Sequence, residues 1–225
     1  MLTPQQLTGR IATHVRHVDE LRCTLHEGAA KSLLALRAAA RQAGIEIAVV
    51  SGFRDFEHQA AIWNAKFQGQ RPLLDRDGRP LDSTGLPEPA LIEAILQWSA
   101  LPGASRHHWG SDLDVIDTAA MPIDYRPKLT AQEFGECGVF AKLDDWLTMN
   151  IARFDFFRPY DSDHGGVLPE AWHLSYAPVS VPALENLTLE VLEETIAASS
   201  LCGAKTVLER LPQIYGRYVR AIDSP

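Results

Sequence analysis

Residues 105–117 read Ser-Arg-His-His-Trp-Gly-Ser-Asp-Leu-Asp-Val-Ile-Asp, and the division of this run decides the fold. Up to Gly110 it is a turn, because a residue without a side chain allows a tight approach into the next strand. From Asp112 polar and apolar residues alternate, which predicts a strand over 112–117. On that strand Asp112, Asp114 and Ile116 share one face, while Leu113, Val115 and Asp117 share the other. Two carboxylates at i, i+2 on one face compete for the same role. One can bind a metal while the other orients a histidine.

Working outward, Glu170-Ala171-Trp172-His173 adds a carboxylate and an imidazole three residues apart, just before a strand expected over 172–177. His173 and Ser175 fall on one face of it, and Trp172, Leu174 and Tyr176 on the other. Ile45–Val50 is a β-branched run ending at Ser51-Gly52, a further buried strand, and 154–160 is a third candidate. Apolar residues recur at three and four places over 4–44, which predicts helix there, with Gly28 separating two helices and Gly44 stopping the second. Helices are also expected over 55–67 and 90–100, in pieces through 129–150, and over 181–221 with a break near Gly203. Residues 68–89 carry seven Gly and Pro residues, including the Asp77-Gly78 turn signal, and read as a long loop on the rim of a site. Helices, then strands with intervening helices, then helices again predict an α+β fold in one domain over 1–225.

With 46% hydrophobic and 22% charged residues the 225-residue chain has the composition of a globular protein that needs no disulfide staples. Its three cysteines are far apart and form no CxxC pair, so a disulfide framework and a cysteine zinc knuckle are both unsupported. A net charge of −8 without a basic run argues against nucleic acid or an anionic membrane as partner. Residues 1–20 have no apolar h-region and no stretch is long enough to span a membrane. A cytoplasmic location is expected, with the periplasm left open.

His107, the Asp112/Asp114 pair and His173 supply two nitrogen donors and one oxygen donor, with Glu170 spare. A catalytic zinc site takes three such ligands and keeps a position open, whereas a structural site closes with four. The motif HExxH is absent. His14, His17, His26, His58 and His164 read as surface or hydrogen-bonded residues.

Ser105-x-His107-x-x-Gly110-x-x-x-Asp114 resembles the SxHxxGxAxD signature of the M15 zinc peptidases, which include D-alanyl-D-alanine carboxypeptidases and dipeptidases associated with vancomycin resistance. Glu170-x-Trp172-His173 resembles their second signature, and Ser51-Gly52-Phe53-Arg54 with Gln59 resembles their SG(Y/F)R…Q element. The three matches fall in the family's order within a core of about residues 45–177. The resemblance implies a small central antiparallel sheet flanked by helices and one zinc ion held by His107, Asp114 and His173. It further implies Glu170 as catalytic base, Arg54 stabilising negative charge, and Ser105 and Gln59 at the substrate. Asp112 departs from the family's alanine, and with His108 and Trp172 it is expected to surround the ligands rather than bind. The implied substrate is a small D-alanine-terminated peptide or muropeptide. An endopeptidase cleaving L-Ala–D-Glu and a zinc-stabilised binding module without activity are the alternatives.

Overall fold

The computed structural model describes residues 1–225. A short helix α1 (Pro4–Leu7) leads into strands β1 (Val15–Val18) and β2 (Cys23–His26), then helix α2 (Glu27–Gln42). Strand β3 (Ile47–Ser51), helix α3 (Phe56–Phe67), the two-residue strands β4 (Leu73–Leu74) and β5 (Pro80–Leu81) and helix α4 (Glu88–Leu96) follow. Next come strand β6 (Asp112–Asp117), helices α5 (Ala131–Phe134) and α6 (Ala141–Asn150), and strands β7 (Phe156–Phe157) and β8 (His173–Tyr176). The chain closes with α7 (Ala177–Asn186), α8 (Leu189–Ala197), α9 (Ala204–Glu209), α10 (Leu211–Ile214) and a π-helical turn over 215–220. No helix is long and apolar enough to cross a membrane.

The central sheet has the order β3-β6-β8-β7 and is antiparallel throughout, in the α+β arrangement expected. Its register sets Leu113 opposite Leu174 and Asp114 opposite His173. One face is therefore apolar and packs Leu113, Val115 and Leu174 with Leu33 and Leu36 of α2 and Leu143 and Leu147 of α6. The other face carries Asp112, Asp114, His173 and Ser175, all buried. A second cluster, built on Trp63, Ile95, Trp109, Leu192 and Val207, joins α3 and α4 to the C-terminal helices.

The N-terminal segment differs from expectation. Residues 15–26 form a hairpin, not a helix, turned by a 3₁₀ segment over 19–21 and by Arg22 in the left-handed region. Gly28 lies inside the first turn of α2, where its N–H donates to Nδ1 of His26 at 3.1 Å. The spacing of Val15, Val18, Leu21 and Leu25 suits a helix, but a long-range contact overrides it. The His26 N–H donates to the Gly110 carbonyl at 2.8 Å, anchoring the hairpin on the 105–110 turn.

Gly110 is required for that contact. Its φ is +66°, and a Cβ there would stand 2.3 Å from Val15 Cγ1 and 2.8 Å from the His26 nitrogen. A left-handed non-glycine residue and an overpacked contact each cost a few kcal/mol at most, so Gly110→Ala is expected to destabilise by roughly 2–5 kcal/mol. Urea unfolding checks this; an unchanged midpoint would refute the assigned packing.

Elsewhere the differences are of extent. The strand expected over 154–160 shrinks to two residues because Phe154 ends a 3₁₀ turn and Asp155 turns left-handed at φ 58°. Within the 68–89 loop Asp77-Gly78 closes the β4–β5 hairpin, which Trp98 ties down through Nε1 to the Asp75 carbonyl at 2.9 Å. The C-terminal region divides into four helices rather than two.

Candidate metal centre

Two backbone segments are laced together to aim His107. The Gly52 carbonyl accepts from its Nδ1 at 2.9 Å, and the Arg54 N–H donates to its carbonyl at 3.2 Å. Since a carbonyl only accepts, Nδ1 carries the hydrogen and Nε2 presents a free lone pair. Burial first, then the Arg54 charge, pulls His107 down to about 3, so the ring is neutral. Its Nε2 lies 3.6 Å from Asp114 Oδ2.

His173 is aimed from the opposite strand. Asp112 Oδ1 accepts from its Nε2 at 3.1 Å, leaving Nδ1 3.2 Å from Asp114 Oδ1 and 3.5 Å from a Glu170 oxygen. Burial is the largest influence on His173 and opposes its charge, but Asp112 and Asp114 together outweigh it and raise the group to about 9. The same imidazoles overcome burial at Asp114 and lower it.

The donor atoms of His107, Asp114 and His173 all lie within 4.8 Å of one another, and all three residues are buried. Asp114 Oδ1, though buried, has no well-aligned hydrogen bond and meets only His173 Nδ1 at 3.2 Å. Each histidine has its remote nitrogen fixed by an oxygen, the arrangement that orients imidazole ligands. Two imidazoles and one buried carboxylate suit zinc by donor type. Asp112 stands apart from this group. Arg106 Nε donates to its Oδ1 at 2.7 Å and Ser111 Oγ to its Oδ2 at 2.6 Å, so its oxygens are committed. These partners outweigh its complete burial and hold Asp112 well below the usual carboxylate range.

That geometry accounts for the departure at Asp112: the buried Arg106 supplies the countercharge an alanine would not need. Asp112→Asn leaves Arg106 buried without its countercharge and is expected to cost roughly 3–5 kcal/mol of stability. In the protein that remains folded it should weaken zinc affinity about 10–100-fold, the usual consequence of losing a ligand-orienting carboxylate. Competition with a chromophoric chelator measures it, and unaltered affinity would remove Asp112 from that role.

The other expected residues divide. Arg54, Ser105, Glu170 and Trp172 line, with the three donor residues, a cleft of about 250 Å³. Burial lowers Arg54, an effect that Asp114 and Glu170 oppose. Ser105 Oγ is buried there without a hydrogen-bond partner. Gln59 does not reach the cleft. It is fully buried, accepting from Arg54 Nη1 at 2.6 Å and donating to the Ala100 carbonyl at 2.7 Å, so it steadies Arg54 from beneath. His108 sits in a 3₁₀ turn rather than an extended segment, yet points away from His107. Its Nδ1 donates to the Arg54 carbonyl at 2.6 Å and its Nε2 accepts from the Gly103 N–H at 3.1 Å. It ties the loops together.

Glu170 follows Pro169 and its own N–H donates to the Tyr160 carbonyl at 2.9 Å. Burial, only partly offset by His173, raises its carboxyl to about 7. Sequence reasoning missed Arg106, Tyr160, Lys66 and Ser99, all of which line the cleft. The Tyr160 ring centroid is 5.1 Å from that of His173. Lys66 alone had a readable signal, since it follows Gln59 by seven residues on the same face of α3.

Comparison with known proteins gives the chain's family and its likeness of fold. The family described as VanY, D-alanyl-D-alanine carboxypeptidase, matches residues 22–179. An uncharacterized protein of Haemophilus influenzae is 31% identical over 121 residues, covering 53% of this chain and 92% of that protein. A second from the same organism is 38% identical over 103 residues, covering 44% and 70%. Among solved structures, a zinc complex of a mutant vancomycin-resistance D,D-pentapeptidase from a VanB-type cassette has a TM-score of 0.53 at 22% identity, covering 88% of this chain and 90% of its own. The LD-carboxypeptidase LdcB, in a structure concerned with peptidoglycan recognition, also gives 0.53, at 23% identity over 81% and 78%. These two likenesses are of fold.

Proposed function

Because this chain belongs to the VanY family of D-alanyl-D-alanine carboxypeptidases, we propose that it releases D-alanine from D-alanine-terminated cell-wall peptides, using one zinc ion held by His107, Asp114 and His173. The observation that carries this reading is the buried His-Asp-His group with a raised, unligated carboxylate beside it at the floor of a cleft. The chemistry supplied there by zinc is Lewis acidity: acidification of water and polarisation of a carbonyl.

The protein's own groups do the rest. Glu170 takes the proton of the attacking water and returns it to the leaving amine, a role suited to a group near neutrality. Arg54, fixed by Gln59 and by Ser51 at 2.8 Å, donates to the oxyanion as it develops. Ser105, whose hydroxyl is unpartnered, is placed to contact the substrate. Glu170 and Arg54 both reach the cleft, which supports an enzyme over a binding module.

The test is a panel of D-Ala-D-Ala dipeptide, a pentapeptide ending in D-Ala-D-Ala, and a muropeptide containing an L-Ala–D-Glu bond, each incubated with zinc-loaded protein. Release of free D-alanine from the first two is expected. Cleavage confined to the L-Ala–D-Glu bond would replace this reading by the endopeptidase, and no cleavage at all by the binding module.

A further inference from the structure

The cleft that holds the histidines also carries a cation that nothing in the mechanism uses. Lys66 lies in the last turn of α3, seven residues and two turns beyond Gln59, so it rises on the face that supports Arg54. Its Nζ donates to Ser99 Oγ at 2.7 Å. The molecule has ion pairs in every region, yet Lys66 takes part in none of them. Both Lys66 and Ser99 line the cleft, together with Ser105, whose buried hydroxyl is without a partner. Burial, its largest influence, pulls Lys66 down to about 8, and the Glu170 carboxylate, which lines the same cleft, opposes this only in part. A cation without a salt-bridge partner and a free buried hydroxyl in one cleft are the complement of a carboxylate.

We propose that Lys66, steadied by Ser99 and assisted by Ser105, forms the subsite for the free C-terminal carboxylate of the substrate and so makes the enzyme an exopeptidase. The inference rests on reading the cleft as a D-alanyl carboxypeptidase site. A carboxypeptidase substrate bears that carboxylate one residue from the scissile bond, and Lys66 lines the same cleft as the three donor residues and Glu170. Lys128, the other lysine of the cleft, is exposed at the rim and better hydrated. Lys66 is thus a specificity residue, distinct from the groups that act on water and carbonyl.

The experiment compares N-acetyl-Lys-D-Ala-D-Ala as free acid and as C-terminal amide, using zinc-loaded wild type, Lys66→Met and Lys66→Arg. Wild type is expected to prefer the acid. Lys66→Met should reduce the acid-to-amide ratio of kcat/KM roughly 10–100-fold, the loss falling mainly on KM, because one charge-assisted hydrogen bond disappears. Lys66→Arg should restore much of the ratio. A purely structural lysine would lower acid and amide alike, leaving the ratio unchanged, and that result overturns the proposal. A third peptide, amidated but carrying a glutamate side chain at its last residue, separates the two sources of a carboxylate. Dependence on Lys66 for this peptide alone also overturns the terminal assignment. If wild type releases no D-alanine, the parent reading fails, and calorimetry of acid and amide binding to Glu170→Gln with and without Lys66→Met decides the subsite separately. Acid binding lost only with Lys66→Met supports it; equal binding refutes it.

Discussion

Glu170→Gln is expected to bind zinc as the wild type does and to lose hydrolysis by about 10²–10⁴ in kcat, the range for removing a positioned general acid-base group. Glutamine keeps the shape and the hydrogen-bonding length of the side chain but accepts no proton. The variant therefore separates chemistry from metal binding. Its stability moves in a diagnostic direction. Burial raises the folded-state pKa of this carboxyl to about 7, so in metal-free wild type the group destabilises the fold once pH exceeds its unfolded value, increasingly up to about 7. Metal-free Glu170→Gln should accordingly melt at an equal or higher temperature than wild type above neutrality. A cation nearby favours the carboxylate, which sets the acid limb of the wild-type kcat/KM profile below pH 7. That limb should vanish in the variant. Activity within threefold of wild type would remove Glu170 from the mechanism.

The second large effect concerns Asp114. Asp114→Ala should reduce the zinc content from about one ion per chain to none retained on dialysis, with activity lost in parallel. His173→Ala should do the same. Wild type should gain thermal stability on adding zinc, by linkage, while Asp114→Ala should gain none. The pH dependence comes from His173, which its two aspartates raise to about 9. In the metal-free protein a raised imidazole contributes stability below its unfolded value of about 6.5, and that contribution is lost as pH climbs through about 9. The same proton must leave when metal binds, so apparent zinc affinity should rise up to tenfold per pH unit across this interval. Calorimetry in buffers of different ionisation heat counts the proton released. Full zinc content in Asp114→Ala would overturn the ligand set.

The contrast between Asp112 and Asp114 shows where local reading stops. Alternation alone sets both carboxylates on one face of β6 and leaves them equivalent. The pairing with β8 separates them, because Asp114 stands opposite His173 and Asp112 opposite Ser175. Arg106 then completes the distinction by holding Asp112 in a buried ion pair. Neither the register nor the Arg106 contact is encoded within a window of ten residues.

Amino-acid order alone accounts for the short-range units. The 105–110 turn with its glycine, the alternating strand after it, the Glu170–His173 step and helix α3 each arise from rotations of a few adjacent bonds. The chemistry carried by those units was legible with them. Contacts between distant segments settled the remainder. Residues 15–26 have helical spacing but form a hairpin, because an isolated helix this short is marginal. The hairpin, by contrast, is tied to distant segments by the His26 N–H on the Gly110 carbonyl and the Phe53 N–H on the Thr24 carbonyl. Gln59 became a support rather than a contact, and Lys66 a wall of the cleft, only once α3 was packed against residues 98–105. Local sequence sets what a segment presents; burial, which depends on every other segment, sets which of those groups remain free to act.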